Sequence, residues 1–227
     1  MTNPSRPVRG NRYAAVLFDL DGTLVDSIAA VERSWQIWAQ EYGVDPLQLR
    51  GFHGTPATRV IGQLLPQLSQ AERDTAFLRI EDLEVQDTDG ILVLPGAAEA
   101  LAAIRLGGGH SAIVTSGTRP LAQARIDTTG LTPPDLVVTA SDIQHGKPSP
   151  EPYLRAAELL GVSIGDCLVV EDAVAGLESG RSAGAAGLLA VTHSTPAREL
   201  DAWADLVVPG LADVTFGVDA QGWVTVA

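Results

Sequence analysis

Hydrophobic residues change their period along the chain, and the changes divide it into segments. The run Ala14-Ala15-Val16-Leu17-Phe18 consists of β-formers and reads as a strand, whose side chains repeat every two residues, and it stops at Asp19-Leu20-Asp21-Gly22. After Ser27 the period becomes helical. Ile28, Val31, Trp35, Trp38 and Tyr42 recur three and four residues apart, and Gly43 closes the pattern. A second helix is predicted over 57–65, with Val60, Ile61, Leu64 and Leu65 as its apolar positions. A third starts at Ser69-Gln70-Ala71-Glu72, a capping-box pattern, and continues through Phe77, Ile80 and Leu83. Three helices with no strand between them predict a small helical insert.

At Leu94-Pro95-Gly96 the punctuation changes and strands begin to alternate with helices. Helices are predicted over 97–106, 120–128, 150–160 (capped by Ser149) and 175–183. Strands are predicted over 111–115, 136–139, 167–170 and 187–191, with a last one at 205–208. This alternation implies an α/β fold with a Rossmann-like, doubly wound parallel sheet and helices on both faces. In such sheets the ligand lies outside the carboxyl ends of the strands. Asp19, Ser116 and the pair Glu171-Asp172 all stand at predicted carboxyl ends, so topology alone brings them to one crevice. Residues 1–11, rich in Pro, Arg and Asn, are expected to form a loose tail.

Composition narrows the possibilities. A chain of 227 residues with 45% hydrophobic content suits one domain, or one domain with an insertion. The net charge of −13 argues against nucleic acid or an anionic membrane as partner. Cys167 is the only cysteine, which excludes an internal disulfide and fits a reducing cytoplasm; in its apolar run it reads as a core residue. No apolar stretch approaches membrane-spanning length, and no signal-peptide core precedes the first strand. The four tryptophans are expected to serve packing. Gly180-Arg181-Ser182-Ala183-Gly184 has the letters of a serine-hydrolase elbow but ends a predicted helix instead of following a strand.

Lys147 is unusual in its own right. It is the only lysine among 15 Lys+Arg, all the others being arginine. Lysine is a compact point charge and arginine a wide planar fork, so the lysine marks a place where the fork will not serve.

The chemistry centres on the first strand end. Asp19 and Asp21, at i and i+2, leave the strand on the same side. Two carboxylates that close repel unless a cation lies between them, and Mg²⁺ is the usual one. Gly22 permits a tight turn that lets backbone N–H groups and Thr23 crowd around the bound group.

The segment Val16 to Ser27 resembles the first signature of the haloacid dehalogenase-like hydrolases, a superfamily made up mostly of phosphatases. Ala112-Ile113-Val114-Thr115-Ser116-Gly117-Thr118 is similar to the second signature, Gly146-Lys147-Pro148 to the third, and Cys167 to Gly176, with Glu171-Asp172, to the fourth. All four occur in family order. The resemblance implies Mg²⁺ held by Asp19, the backbone oxygen of Asp21 and Asp172, with Glu171 holding a water on the metal or a neighbouring ligand. It implies Asp19 as nucleophile and Asp21 as general acid and base. Thr23, Ser116, Gly117 and Lys147 are the implied phosphate-binding residues.

A helical insert between the first two signatures resembles the C1-type cap, here residues 27–93, with the catalytic core formed by 1–26 and 94–227. Phe52-His53-Gly54-Thr55, Val114 to Arg119 and Lys147 to Tyr153 resemble the branch acting on small sugar and polyol phosphates. That likeness makes His53 and Arg59 the candidate substrate-binding residues. The expected function is a Mg²⁺-dependent phosphatase of small phosphate monoesters, acting through an aspartyl-phosphate as a cytoplasmic monomer. A phosphosugar mutase of the β-phosphoglucomutase type, bearing the same signatures, is the alternative.

Overall fold

In the computed structural model, which describes residues 8–49 and 56–227, the strand before Asp19 lies inside a parallel sheet. The chain enters through β1 (Arg12–Tyr13) and continues into β2 (Ala15–Phe18) and β3 (Val25–Asp26). Three helices follow: α1 (Ile28–Tyr42), α2 (Ala57–Leu64) and α3 (Gln70–Gln86). After β4 (Leu92–Val93) the alternation begins with α4 (Ala97–Leu106), β5 (His110–Val114), α5 (Arg119–Thr129) and β6 (Leu136–Val138). It continues through α6 (Glu151–Leu160), β7 (Cys167–Glu171), α7 (Val174–Ala183), β8 (Gly187–Val191), α8 (Ala197–Leu200) and β9 (Leu206–Val208). A hairpin, β10 (Phe216–Val218) and β11 (Val224–Val226), ends it.

The main sheet has six strands in the order β6-β5-β2-β7-β8-β9, all parallel. From β2 the chain moves outward through β5 to β6, then returns to β7 on the other side of β2. The order reverses at β2, where ligands bind in folds of this kind. Alternate residues of β2 serve opposite faces. Val16 and Phe18 join α4 and α5 in one cluster, while Ala15 and Leu17 join α6, α7 and α8 in the other. Strands buried on both faces must be apolar at every position, as the run in β2 is. Cys167 packs in the second cluster, and burial pushes its thiol up to about 12, in keeping with a core residue.

Helices α1, α2 and α3 have a core of their own, built on Trp38, Ile61, Ile80 and Leu83. Trp38 is fully buried and donates its indole N–H to the carbonyl of Ala76 at 2.9 Å. The Ser69–Glu72 capping box forms in both directions at the start of α3. Where the chain leaves the main sheet for these helices and where it returns, β3 and β4 pair antiparallel as a two-stranded ribbon.

Two expectations fail. The strand at 206–208 is not the last, because β10 and β11 join β1 in an antiparallel sheet of three strands. Residues 8–11 are not loose: Val8 is buried, and Gly10 donates its N–H to Val226 at 2.8 Å. The hairpin supplies the partners that hold this segment. No helix among the described residues is long and apolar enough to cross a membrane.

Candidate active site

Three strand ends and one loop build the crevice. Asp19 follows β2, Thr115 and Ser116 follow β5, and Glu171 and Asp172 close β7, so β2 carries its carboxylate between the other two. Lys147, from the loop between β6 and α6, reaches into the gap with only 4% of its surface exposed. Its Nζ lies 2.6 Å from Asp19 Oδ1, 2.6 Å from Glu171 Oε1 and 2.8 Å from the carbonyl of Val114. The three donors of the ammonium are thus shared among three strand ends.

Glu171 is held on every side. Its Oε1 also accepts the Tyr153 hydroxyl at 2.8 Å, while Oε2 accepts the backbone N–H groups of Asp172 and Ala173 at 3.1 and 3.3 Å. Such a carboxylate fixes Lys147 more readily than it offers a lone pair elsewhere. Asp172 is oriented from its other side by the hydroxyl of Ser194, which donates to Oδ2. Gly22, at φ +89°, passes so close that a Cβ there would stand 2.0 Å from Asp172 Oδ2. Only glycine lets the turn after Asp19 approach that carboxylate.

The donor set fits a hard divalent cation. Asp19, Glu171 and Asp172 can bring one oxygen each within 4.8 Å of one another, and all three are buried. Lys147 neutralises one of three negative charges, and buried charge without a partner is costly. The pKa values carry the mark of that excess. Burial raises Asp19 well above the usual carboxylate range, more than Lys147 draws it down, and Asp172 is pushed up to about 7 by burial and then by Glu171. Burial alone would lower Lys147, but Asp19 and Glu171 outweigh it and hold the ammonium charged. Tyr153 is raised by burial and by Glu171, so it stays protonated and donates.

Above this floor opens a cavity of about 770 Å³. Asp19, Asp21, Ser116, Gly117, Lys147 and Asp172 line it on the sheet side. Ile28, Val31 and Trp35 of α1 and Phe77, Glu81 and Glu84 of α3 line the opposite side. Trp35 therefore faces the cavity and is more than the packing residue the pattern suggested. Gly117 also precedes the N-terminus of α5, whose positive dipole end favours an anion nearby, although Arg119 already donates its N–H to the Ser141 hydroxyl at 3.2 Å and Pro120 has none.

Two candidates do not reach the cavity. Thr23 is buried, its hydroxyl without a hydrogen-bond partner among the described residues, and it does not belong to the lining. Arg59 is exposed on α2 while Ala57, Thr58 and Val60 line the cavity, because a residue one step along a helix turns to another face. His53 lies outside the described residues.

The structure adds residues the pattern did not reveal. Arg125 of α5 is completely buried; its Nε lies 3.2 Å from Asp21 Oδ1, and its Nη1 donates to the carbonyl of Glu84 at 3.0 Å. Ser27 donates to the same Asp21 oxygen at 2.6 Å. Arg125 shares the buried face of α5 with Ala122 and Ile126, so a charge on the apolar stripe was its signal. Ser194 stands three residues beyond β8, where the carboxyl-end rule would have pointed.

A doubly wound α/β fold whose neighbouring strands bring carboxylates around one buried lysine defines a class of hydrolytic site. The pattern of the haloacid dehalogenase-like hydrolases matches residues 13–184, and the chain belongs to that family. Hexitol phosphatase A of Escherichia coli K12 is 41% identical over 212 residues, covering 93% of this chain and 97% of that protein. 2-Deoxyglucose-6-phosphate phosphatase 1 of Saccharomyces cerevisiae is 32% identical, covering 88% of each chain. A hydrolase crystal structure from Pseudomonas syringae shares the fold with a TM-score of 0.80 at 24% identity, covering 88% of this chain and 95% of that one.

Proposed function

We propose that this chain is a Mg²⁺-dependent phosphatase of small sugar or polyol phosphate monoesters, working through an aspartyl-phosphate on Asp19. The observation that carries the reading is Lys147 joining Asp19 to Glu171 beside Asp172, on the floor of a cavity large enough for a phosphorylated hexose or hexitol. Its likeness to hexitol phosphatase A and to a 2-deoxyglucose-6-phosphate phosphatase supports the substrate class.

A phosphomonoester repels nucleophiles by its own charge, so the site must neutralise that charge and align the attack. Asp19, Asp172 and the backbone oxygen of Asp21 would hold Mg²⁺. When bound, the ion supplies positive charge against the phosphoryl oxygens and the nucleophile. Lys147 supplies a further charge at a fixed point, and Ser116 donates to the phosphoryl oxygens, joined by the N–H of Gly117 when it turns from the Thr115 hydroxyl to which it donates at 3.0 Å. Asp19 attacks phosphorus as the bond to the leaving oxygen breaks, and Asp21 gives that oxygen a proton. Water then attacks the phosphoryl group, Asp21 takes back a proton, and the bond to Asp19 breaks, releasing inorganic phosphate.

Residues 27–93 act as a cap that chooses the substrate. Trp35 and Phe77 give aromatic faces for the C–H side of a polyol chain, and Gln36, Glu81 and Glu84 give acceptors for its hydroxyls. Masked by no charge of their own kind, uncharged hydroxyls suit this acidic lining better than a second phosphate would.

Phosphate release from a panel of hexitol, hexose and glycerol phosphates, ranked by kcat/KM, tests the reading. EDTA should abolish turnover and Mg²⁺ restore it. Asp19→Asn should abolish it outright while the protein stays folded. Formation of glucose 6-phosphate from β-glucose 1-phosphate, in place of free phosphate, would make the enzyme a mutase instead.

A further inference from the structure

We propose that Arg125, together with Ser27, is a positioning residue for the acid–base carboxylate of Asp21, anchoring Oδ1 so that Oδ2 meets the leaving oxygen, and tying that anchor to helix α3. This rests on the role given to Asp21 above.

Three observations carry it. Arg125 is the largest charged side chain buried completely among the described residues, yet it stands on the apolar face of α5, where Ala122 and Ile126 are its buried neighbours. Replacing a buried ion pair by apolar residues is often neutral or stabilising, so bracing two helices does not by itself call for a guanidinium here. On the sheet side the guanidinium reaches one carboxylate oxygen. Oδ1 of Asp21 accepts from Arg125 Nε at 3.2 Å and from Ser27 Oγ at 2.6 Å, and Oδ2 has no partner among the described residues. Asp21 lines the cavity, with about a third of its side chain (32%) exposed. A carboxylate pinned through one oxygen has its rotation fixed, and the other oxygen is the one left to exchange a proton.

The same guanidinium crosses to the opposite wall. Its Nη1 donates to the carbonyl of Glu84, in the last turn of α3, and Glu84 itself lines the cavity. Arg125 therefore connects Asp21 on the sheet side with the helix that covers it. The bidentate span from Nε to Nη1 is one that lysine, a single point donor, cannot reproduce.

The test uses leaving groups of different need. An alkyl phosphate requires a proton on its leaving oxygen, and an aryl phosphate such as p-nitrophenyl phosphate requires little. Arg125→Lys and Ser27→Ala should each lower the ratio of kcat for a hexitol phosphate to kcat for the aryl ester by ~10-fold or more, a part of the ~10²–10⁴ that acid–base help supplies in full. In an Asp21→Asn background the same two substitutions should leave the ratio unchanged, because their effect runs through the carboxylate. Equal losses on both esters, or losses that multiply with Asp21→Asn, would overturn the proposal and leave Arg125 a structural brace. Ser27→Ala removes only a hydroxyl and keeps the test open if the arginine variant unfolds. An Asp21→Asn enzyme that loses both esters equally would instead overturn the acid–base role of Asp21 itself.

Discussion

Nζ of Lys147 stands 2.6 Å from Oδ1 of Asp19, and the ammonium is shielded from solvent by the strand ends it joins. The other basic side chains of this protein are all arginine. A guanidinium is as positive but far wider, and it spreads its donors over a plane. It cannot occupy the point between Asp19, Glu171 and the Val114 carbonyl without displacing one of them. Lys147→Arg should therefore cost ~10²–10³ in kcat, the usual loss for one preorganised contact to transition-state charge. The measurement is kcat beside the thermal midpoint; a rate within a few-fold of wild type would reduce Lys147 to an ordinary cation.

Gly22 makes a second prediction with an internal control. An alanine there meets both a left-handed backbone, φ +89°, and Asp172 Oδ2 at 2.0 Å. Gly43 also has a left-handed backbone, at φ +66°, with nothing within 4 Å of its Cβ position. Each substitution should cost ~1–2 kcal/mol for the backbone alone. Only Gly22→Ala should also displace the Asp172 carboxylate, with a loss of ~10² in kcat and weaker Mg²⁺ binding by titration calorimetry. Similar activity in the two variants would mean that the turn yields without moving Asp172.

Glu84 predicts how stability depends on pH. Burial first, with Asp21 adding to it against the pull of Arg125, raises its carboxyl from 4.5 to about 7. The ionised form is thus disfavoured in the folded protein, which binds a proton that the unfolded chain gives up. The sign follows: stability is lost as pH rises from 4.5 through about 7, and it returns as pH falls. Glu84→Gln, which keeps the shape of the side chain without its ionisation, should raise the thermal midpoint at roughly pH 8 and make no difference below about pH 4.5. A midpoint difference that does not change with pH would assign it to packing instead.

Much of the protein was legible because its information is local. The switch from period 2 to period 3.6 at Ser27, the αL glycine at Gly43 and the Ser69–Glu72 capping box each depend on residues within a turn of one another. The four motifs were legible for the same reason: each packs its chemistry into a few consecutive residues at a strand end. Their meeting in one crevice followed from strand direction alone.

What the local pattern could not decide is which strands become neighbours and which face a side chain turns to. Strands β10 and β11 are three residues each, too short for any alternation to mark them as strands, and they exist because β1 and each other supply their partners. Arg59 has the chemistry expected of a substrate ligand but stands on the wrong face of α2, whereas Arg125 is a charge on the apolar stripe of α5, fully buried, whose partner no local pattern reveals. The sequence by itself determined the chemistry of the site and the elements that carry it, since periodicity and motif spacing are properties of adjacent residues. The tertiary structure alone decided that β2 lies between β5 and β7, that Lys147 lies between Asp19 and Glu171, and that Arg125 meets Asp21 across 104 residues of chain. Contacts so distant in sequence are selected by the burial of whole faces, and no local segment encodes that.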